Sequence, residues 1–428
     1  MTATDTHRAI EAVFRIEQAK LIAGLTRVVR DVGVAEELAQ DALIAALEQW
    51  PKSGIPDKPG AWLMATAKHR AIDLFRRNRL AERKQADLGY ELELEQETPP
   101  DLDEALDDHV GDDLLRLIFI SCHPILSPEA RAALTLRLLG GLTPPEIARA
   151  FLVPEPTIQQ RIVRAKHSLS EARVPFEVPQ GEELAARLSS VLAVIYLIFN
   201  EGYSATTGDD WMRPQLCEEA LRLGRILAEL AREEPEVHGL VALMEIQASR
   251  LKARTSPSGE PVLLLDQDRT RWDQLLIRRG LAALSRAEVL VQSSERAAGP
   301  YVLQASIAAC HARARISEET DWARIVGLYG ALGDTTPSPI VELNRAVALA
   351  MLFGPAAGLE IVEALREEPA LKAYHLLPSV RGDLLRKLGR FGEARAEFKA
   401  AAALTRNERE RKLLLDRAAS CIDGKTAS

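Results

Sequence analysis

At 428 residues the chain can build several cores, and a composition that is 47% hydrophobic but only 5% aromatic, rich in Ala, Leu, Glu and Arg, favours helices over sheets. The formal net charge of −8 excludes a uniformly basic nucleic-acid coat, so any contact with DNA must come from local patches on an acidic protein. The four cysteines, Cys122, Cys217, Cys310 and Cys421, lie far apart with no CxxC spacing, which excludes a zinc site of that kind and fits free thiols in a reducing cytoplasm.

The N-terminal stretch carries Asp5, Glu11 and Glu17 and lacks the basic-then-apolar pattern of a signal peptide. Residues 8–80 read as a bundle of three or four helices, the clearest over Ala35 to Trp50 and over Pro59 to about Arg79. In the first of these, Val34, Leu38, Ala42 and Ala45 make an inward stripe, leaving Gln40, Asp41, Ile44 and Glu48 elsewhere on the cylinder. In the second, Leu63, Ala67, Ile72 and Leu74 can be buried, leaving Lys68, His69, Arg70, Arg76, Arg77 and Arg79 as a basic stripe; such a stripe alone fits a solvated face as well as a DNA contact. Between them WPKSGIPDKPG is a loop punctuated by Pro51, Gly54, Pro56, Pro59 and Gly60.

From Glu82 to Asp113 acidic residues crowd together around Pro99 and Pro100, and residues 81–113 read as a solvated, extended linker. Helical periodicity returns near Leu114 and runs through the Ser127-Pro128-Glu129 helix start. It leads into LTPPEIARAFLVPEPTIQQRIVRAKHSL from Leu142, which closes a unit over 114–175. There Thr143 and Glu146 have capping-box spacing and Pro144 fits a first helical position. Ile147, Ala148 and Phe151 face inward, Leu152-Val153-Pro154 breaks the period, and Ile158, Ile162, Ala165 and Leu169 resume it. Two short helices must cross at a tight turn, and the second presents Thr157, Gln159, Gln160, Arg161, Arg164 and Lys166, side chains able to meet base edges or phosphates in a major groove.

A Pro-bearing joint, Val174 to Gly181, opens a long helical region over 182–428. Its longest apolar run, Val191 to Phe199, is too short to cross a bilayer, so no membrane partner is expected. Phe353-Gly354-Pro355-Ala356-Ala357 and Phe391-Gly392-Glu393-Ala394-Arg395 recur between Ala/Leu-rich helices, and a third unit can begin at Asp321-Trp322-Ala323. Over about 320–420 this resembles tetratricopeptide-type helix pairs, which bury their apolar faces only by stacking.

The order of the segments is the strongest signal. AEELAQDALIAAL, a Pro/Gly loop, PGAWLMATAKHRAIDLFRR, an acidic linker and a helix-turn-helix resemble region 2 and region 4 of the extracytoplasmic-function sigma factors of bacterial RNA polymerase. FNEGYSAT at Phe199 to Thr206, LCEEALRL at Leu216 to Leu223 and DQDRTRWD at Asp266 to Asp273 resemble the group of these factors with a long C-terminal helical extension.

The composition reads as all-α, and the resemblance implies a protein without catalysis or cofactor that docks on core RNA polymerase and directs initiation at −35 and −10 promoter elements. It places Gln40, Asp41 and Ile44 against the coiled coil of the polymerase clamp, and Lys68, His69, Arg70, Arg76 and Arg77 at the −10 region. The Lys52 to Lys58 loop would capture an extruded base, and Glu155, Thr157, Gln159, Gln160, Arg161 and Arg164 would read the −35 element. His69 stands where the wider family usually has Asn, and Pro154 and Pro156 flank Glu155 where a Ser or Thr cap and a Gly are typical, so a promoter motif does not transfer from relatives. The extension is expected to modulate the factor through a protein partner or regulator.

Two other classes fit parts of the sequence. A one-component regulator would read duplex DNA without polymerase and sense a ligand or protein through the helical region. A helical hydrolase would use Glu201, Asp209, Asp210, Asp266, Asp268 and Asp273. DQDRTRWD lacks the mid-loop Gly and closing Glu of a calcium loop, however, and no HExxH, GxSxG or GxxxxGK[ST] pattern occurs, so those acids read first as caps and ion pairs.

Overall fold

The computed structural model describes residues 3–86, 110–151, 153–204, 212–256, 260–294, 297–405 and 407–421, so most of the acidic linker, Ala205, Thr206, Asp209, Asp210, Trp211 and Leu152 lie outside the described residues. Among the described residues every regular element is a helix, and extended backbone pairs only at the isolated bridge Thr255–Pro261. The chain forms two compact units, 1–195 and 196–428.

In the first unit α1 (Ala3–Val29), α2 (Val32–Ser53) and α3 (Pro59–Ala86) pack on one another. Asp31 caps α2 by accepting from the Gly33 and Val34 amides at 2.7 and 3.0 Å, which fixes where the helix starts. The helix runs through Pro51, where the sequence pattern starts a loop. In the last turn a proline forfeits a single backbone bond, and Gly54, at φ 85°, ends the helix by donating to the Trp50 carbonyl. Trp50 is fully buried with Trp62 edge-on at 5.2 Å, so the loop is anchored at its base. The stripe expected on α3 holds at Leu63 and Ala67, but Ala71 is buried where Ile72 and Leu74 are half-buried.

Four helices follow: α4 (Val110–Ser121), α5 (Pro128–Leu138), α6 (Pro144–Phe151) and α7 (Glu155–Glu171). The capping box forms as the spacing predicts: the Thr143 amide donates to Glu146 at 2.7 Å and the Glu146 amide to Thr143 Oγ1 at 3.4 Å. Ile147, Ala148, Ile158, Ile162, Ala165 and Leu169 are buried, so α6 and α7 share the expected apolar seam, while Phe151 is only half-buried.

The two helical groups of this unit pack together, α1 on α4 and α2 on α7. The acidic block is not solvated throughout. Its C-terminal end is the first turn of α4, where Asp113 is buried between Arg27 at 3.2 Å and Arg116 at 2.7 Å. Periodicity within one element could not reveal this, because the partners lie far apart in sequence.

Helix α8 (Gly181–Tyr203) crosses from the first unit into the second. Its first half is tied to α4 and α5: Arg187 donates to the Phe119 carbonyl at 3.2 Å, Ser190 to the Cys122 carbonyl at 2.7 Å, and Arg131 to Ser190 Oγ at 2.6 Å. Compact packing therefore extends to Ile195, beyond the Pro-bearing joint. By length and composition Glu183–Tyr203 could cross a membrane, which the shorter run 191–199 did not suggest, but Val191, Leu192, Val194, Ile195, Ile198 and Phe199 are all buried in the fold.

The second unit continues with α9 (Pro214–Leu230), α10 (Pro235–Ala248), α11 (Gln274–Ser293), α12 (Pro300–Arg313), α13 (Trp322–Thr335), α14 (Pro339–Phe353), α15 (Pro355–Ala364), α16 (Leu376–Lys387), α17 (Phe391–Leu404) and α18 (Glu408–Ser420). Each packs mainly on its neighbours in sequence, and α10 is covered by α9, α11 and α12. The two recurring motifs are not equivalent in structure. Gly354, at φ 97°, is the junction between α14 and α15, whereas Gly392 lies in the first turn of α17 and the corresponding turn glycine is Gly389, at φ 77°.

Candidate nucleic-acid and polymerase interfaces

On α2 the burial of Leu38, Ala39, Ala42, Ala45 and Ala46 turns Ile44 outward, where it is 50% exposed, with Gln40 and Asp41 half-buried beside it. One exposed branched apolar side chain beside an acid is ordinary for a protein surface by itself. Asp41 does not act alone. Its carboxylate is 3.2 Å from Arg70 of α3, so a residue of the proposed polymerase surface and one of the proposed −10 surface share an ion pair.

Along α3, His69, Arg76 and Arg77 are exposed and Lys68 and Arg70 half-buried. Arg76 lies 4.0 Å from Asp73, and Arg77 Nε donates to the Asp73 carbonyl at 3.3 Å, contacts weak enough in solvent to leave both guanidiniums available for phosphates. Phe75, 38% exposed on the same helix, interrupts the basic stripe.

Helix α7 starts without a side-chain cap, at Pro154, with Pro156 in its first turn. Glu155 complements the positive end of the helix dipole and accepts from Gln159 Nε2 at 2.9 Å. Gln159, Gln160 and Arg164 form one exposed strip, whereas Thr157 and Arg161 are half-buried on its flanks. Arg161 helps hold the Glu129 carboxyl below its ordinary range, after that group's own backbone and Ser127 hydrogen bonds.

Lys166 departs from expectation. It is half-buried and ion-paired with Glu36 of α2, so it faces into the unit and not toward a groove. Glu36 is itself 4% exposed and accepts from Arg137 Nε at 2.5 Å. No helical period in the sequence marks Glu36 and Arg137 as a pair. The available signal was an acid four residues after Val32 on the buried side of α2. Val163, which is not among the residues expected to meet DNA, is 64% exposed on the strip of α7 formed by Gln159, Gln160 and Arg164.

Two family models cover these helices: Sigma-70 region 2 matches residues 13–81 and Sigma-70 region 4 matches residues 116–169. The chain belongs to the extracytoplasmic-function sigma factors. Over 162 residues it is 28% identical to the ECF RNA polymerase sigma factor SigK of Mycobacterium sp. strain KMS, covering 36% of this chain and 77% of that protein. A probable ECF RNA polymerase sigma factor SigI of Mycobacterium tuberculosis strain H37Rv is 26% identical over 180 residues, covering 41% of this chain and 59% of that protein. The factor also matches a family of unknown function, DUF6596, over 187–288, so a third shared segment starts inside α8. An uncharacterized protein of Rhizobium meliloti strain 1021 is 44% identical over 388 residues, 90% of this chain and 89% of that protein. No solved structure matches the chain.

The factor is accordingly a non-enzymatic, all-helical protein that directs transcription initiation, and its sigma regions imply binding to core RNA polymerase and promoter DNA. The acids that invited a hydrolase reading have structural work where they are described. Glu201 pairs with Arg213, Asp268 accepts from the Thr270 amide at 2.9 Å, and Asp273 caps α11 through the Leu275 and Leu276 amides.

Proposed function

We propose that the factor meets the polymerase clamp coiled coil through Gln40, Asp41 and Ile44, contacts the −10 element through Lys68, His69, Arg70, Arg76 and Arg77, and reads the −35 element with α7. The observation that carries this reading is the exposed strip Gln159, Gln160, Val163 and Arg164 on a helix whose opposite side is buried. Paired amides match adenine, a guanidinium matches guanine, and an exposed valine suits a thymine methyl. Glu155, at the tip, is positioned to accept from cytosine, while Thr157 and Arg161 flank the strip and suit the phosphate backbone.

This division separates two arginines by experiment. Arg164→Ala is expected to lose about 1–3 kcal/mol of binding and to relax one position of the −35 motif, whereas Arg161→Ala weakens all promoters alike and flattens the salt dependence. Footprinting over a set of single-base promoter variants at several salt concentrations reads both effects; the reverse assignment would overturn the division.

The docking proposal is tested at Ile44. Because the side chain is 50% exposed, Ile44→Glu should leave the melting temperature nearly unchanged, within the roughly 0.5 kcal/mol usual for surface substitutions, yet abolish copurification with core polymerase and run-off transcription. Retained copurification would remove Ile44 from the interface, and failure of the native chain to copurify would favour the one-component regulator.

The helical unit that follows is proposed to modulate initiation as a stacked, tetratricopeptide-like array. Support comes from the sequential packing of α12 to α18 and from turn glycines 354 and 389, both at positive φ and close to one such repeat apart. A stack of this kind offers a partner protein an extended concave surface.

A further inference from the structure

The second unit contains a buried cationic cluster that the sigma function does not use. Arg250, Arg254 and His311 are each less than 9% exposed and Trp272 is 4% exposed. The Arg250 guanidinium lies 5.8 Å from the ring centres of both Tyr203 and Trp272, Arg254 stacks on Tyr203 at 3.6 Å, and Arg269 approaches Trp272 at 5.0 Å. Arg269 is spent on the fold, donating to the His311 and Ala314 carbonyls, each at 2.7 Å.

Arg250 is different: among the described residues no carboxylate pairs with it. Nearby acids have other partners: Glu201 pairs with Arg213, Glu245 meets Arg225 through one oxygen while its other is buried without a hydrogen-bond partner among the described residues, and Asp268 and Asp273 cap helix starts. Three buried nitrogens of the cluster, Arg250 Nε, Trp272 Nε1 and His311 Nδ1, have no hydrogen-bond partner among the described residues. Burying a cation without an opposite charge costs several kcal/mol, and cation–π contact with two rings recovers only part of that. Among the described residues, buried guanidiniums, an indole N–H and an imidazole lie near one another with no carboxylate paired to Arg250, which is the donor set of an anion site.

We propose that the second unit binds a small molecule through an oxyanion group, a phosphate or carboxylate, held by Arg250 with Trp272 Nε1 and His311 Nδ1 as further donors. All of these except His311 fall within the span shared with the family of unknown function, so the site would give that segment a chemical input of its own. The proposal concerns binding by this unit and stands whether or not the polymerase and promoter contacts are as described above.

The test uses the full-length protein, with inorganic phosphate and acetate as probes and chloride at matched ionic strength as control. One probe is expected to raise the melting temperature saturably over chloride, and which of the two does so separates phosphate from carboxylate. Arg250→Met is expected to weaken that binding about tenfold or more, the scale of a lost hydrogen bond to a charged group, while melting no lower than the native chain in chloride. His311 supplies a readout independent of the variant. Burial, with Arg250 and Arg269 nearby, pushes its pKa down to about 4, and a bound anion would cancel part of that field, so the His311 imidazole resonance should titrate at higher pH with the probe present. No saturable response to either probe, an undiminished response in Arg250→Met, or a His311 titration indifferent to the probe would each overturn the site.

Discussion

Replacing Glu36 with alanine is expected to destabilise the first unit by about 2–4 kcal/mol, among the largest effects of any single substitution outside the apolar core. Glu36 is 4% exposed and faces two cations, Arg137 through a 2.5 Å hydrogen bond and Lys166 through an ion pair. Removing the shared carboxylate leaves both charges partly desolvated and uncompensated. Arg137 and Lys166 keep side-chain exposures of 15% and 21%, so water recovers part of the loss, and the estimate sits below the full value for deeply buried pairs. Urea unfolding of the variant against the native chain measures it. The triple variant Glu36→Met, Arg137→Met, Lys166→Met should recover most of the stability, because replacing the whole ionic group by apolar side chains removes its desolvation cost together with its attraction. A triple variant no more stable than Glu36→Ala would mean that Glu36 acts through packing.

The same triad explains which parts of the site the sequence could reveal. Helix-period arguments use residues three or four apart, so the seam of Ile147, Ala148, Ile158, Ile162, Ala165 and Leu169 was legible, as was the capping box of Thr143 and Glu146. Lys166 escapes this argument, which treats every polar residue off the seam as solvent-facing. Its partner lies on a helix 130 residues earlier, at a place no local period encodes. Arg70 and Asp41 pose the same difficulty, since their ion pair depends on how α2 and α3 pack. The loop start at Pro51 failed for a local reason: a proline in a last helical turn does not stop the helix, and the positive φ of Gly54 does. In the second unit, motif spacing located helix junctions but misaligned them, because Gly392 imitates in sequence the role that Gly389 fills in structure.

Shortening the chain is expected to have two separable effects, set by the position of the cut. A chain ending at Arg173 keeps both sigma regions by sequence, yet it discards the first half of α8. That removes the Arg187 bond to the Phe119 carbonyl, the Ser190 bond to the Cys122 carbonyl and the cover given by buried Leu188, Val191 and Leu192. Phe119 and Cys122 are each 1% exposed in the full chain, and at about 1.5–3 kcal/mol for each large apolar side chain returned to water, even partial loss of this cover amounts to several kcal/mol. Such a truncation should melt well below the native chain, so its inactivity would say nothing about regulation. A chain ending at Ile195, where the first compact unit ends, retains those contacts and should preserve that unit's unfolding transition. If the helical extension modulates initiation as proposed, this longer truncation will bind core polymerase but support run-off transcription at a level at least about tenfold different from the full chain, a barrier change of roughly 1.4 kcal/mol. Equal transcription from the two, with matched unfolding transitions, would dismiss the extension as a determinant of activity and leave the first unit as the whole initiation module.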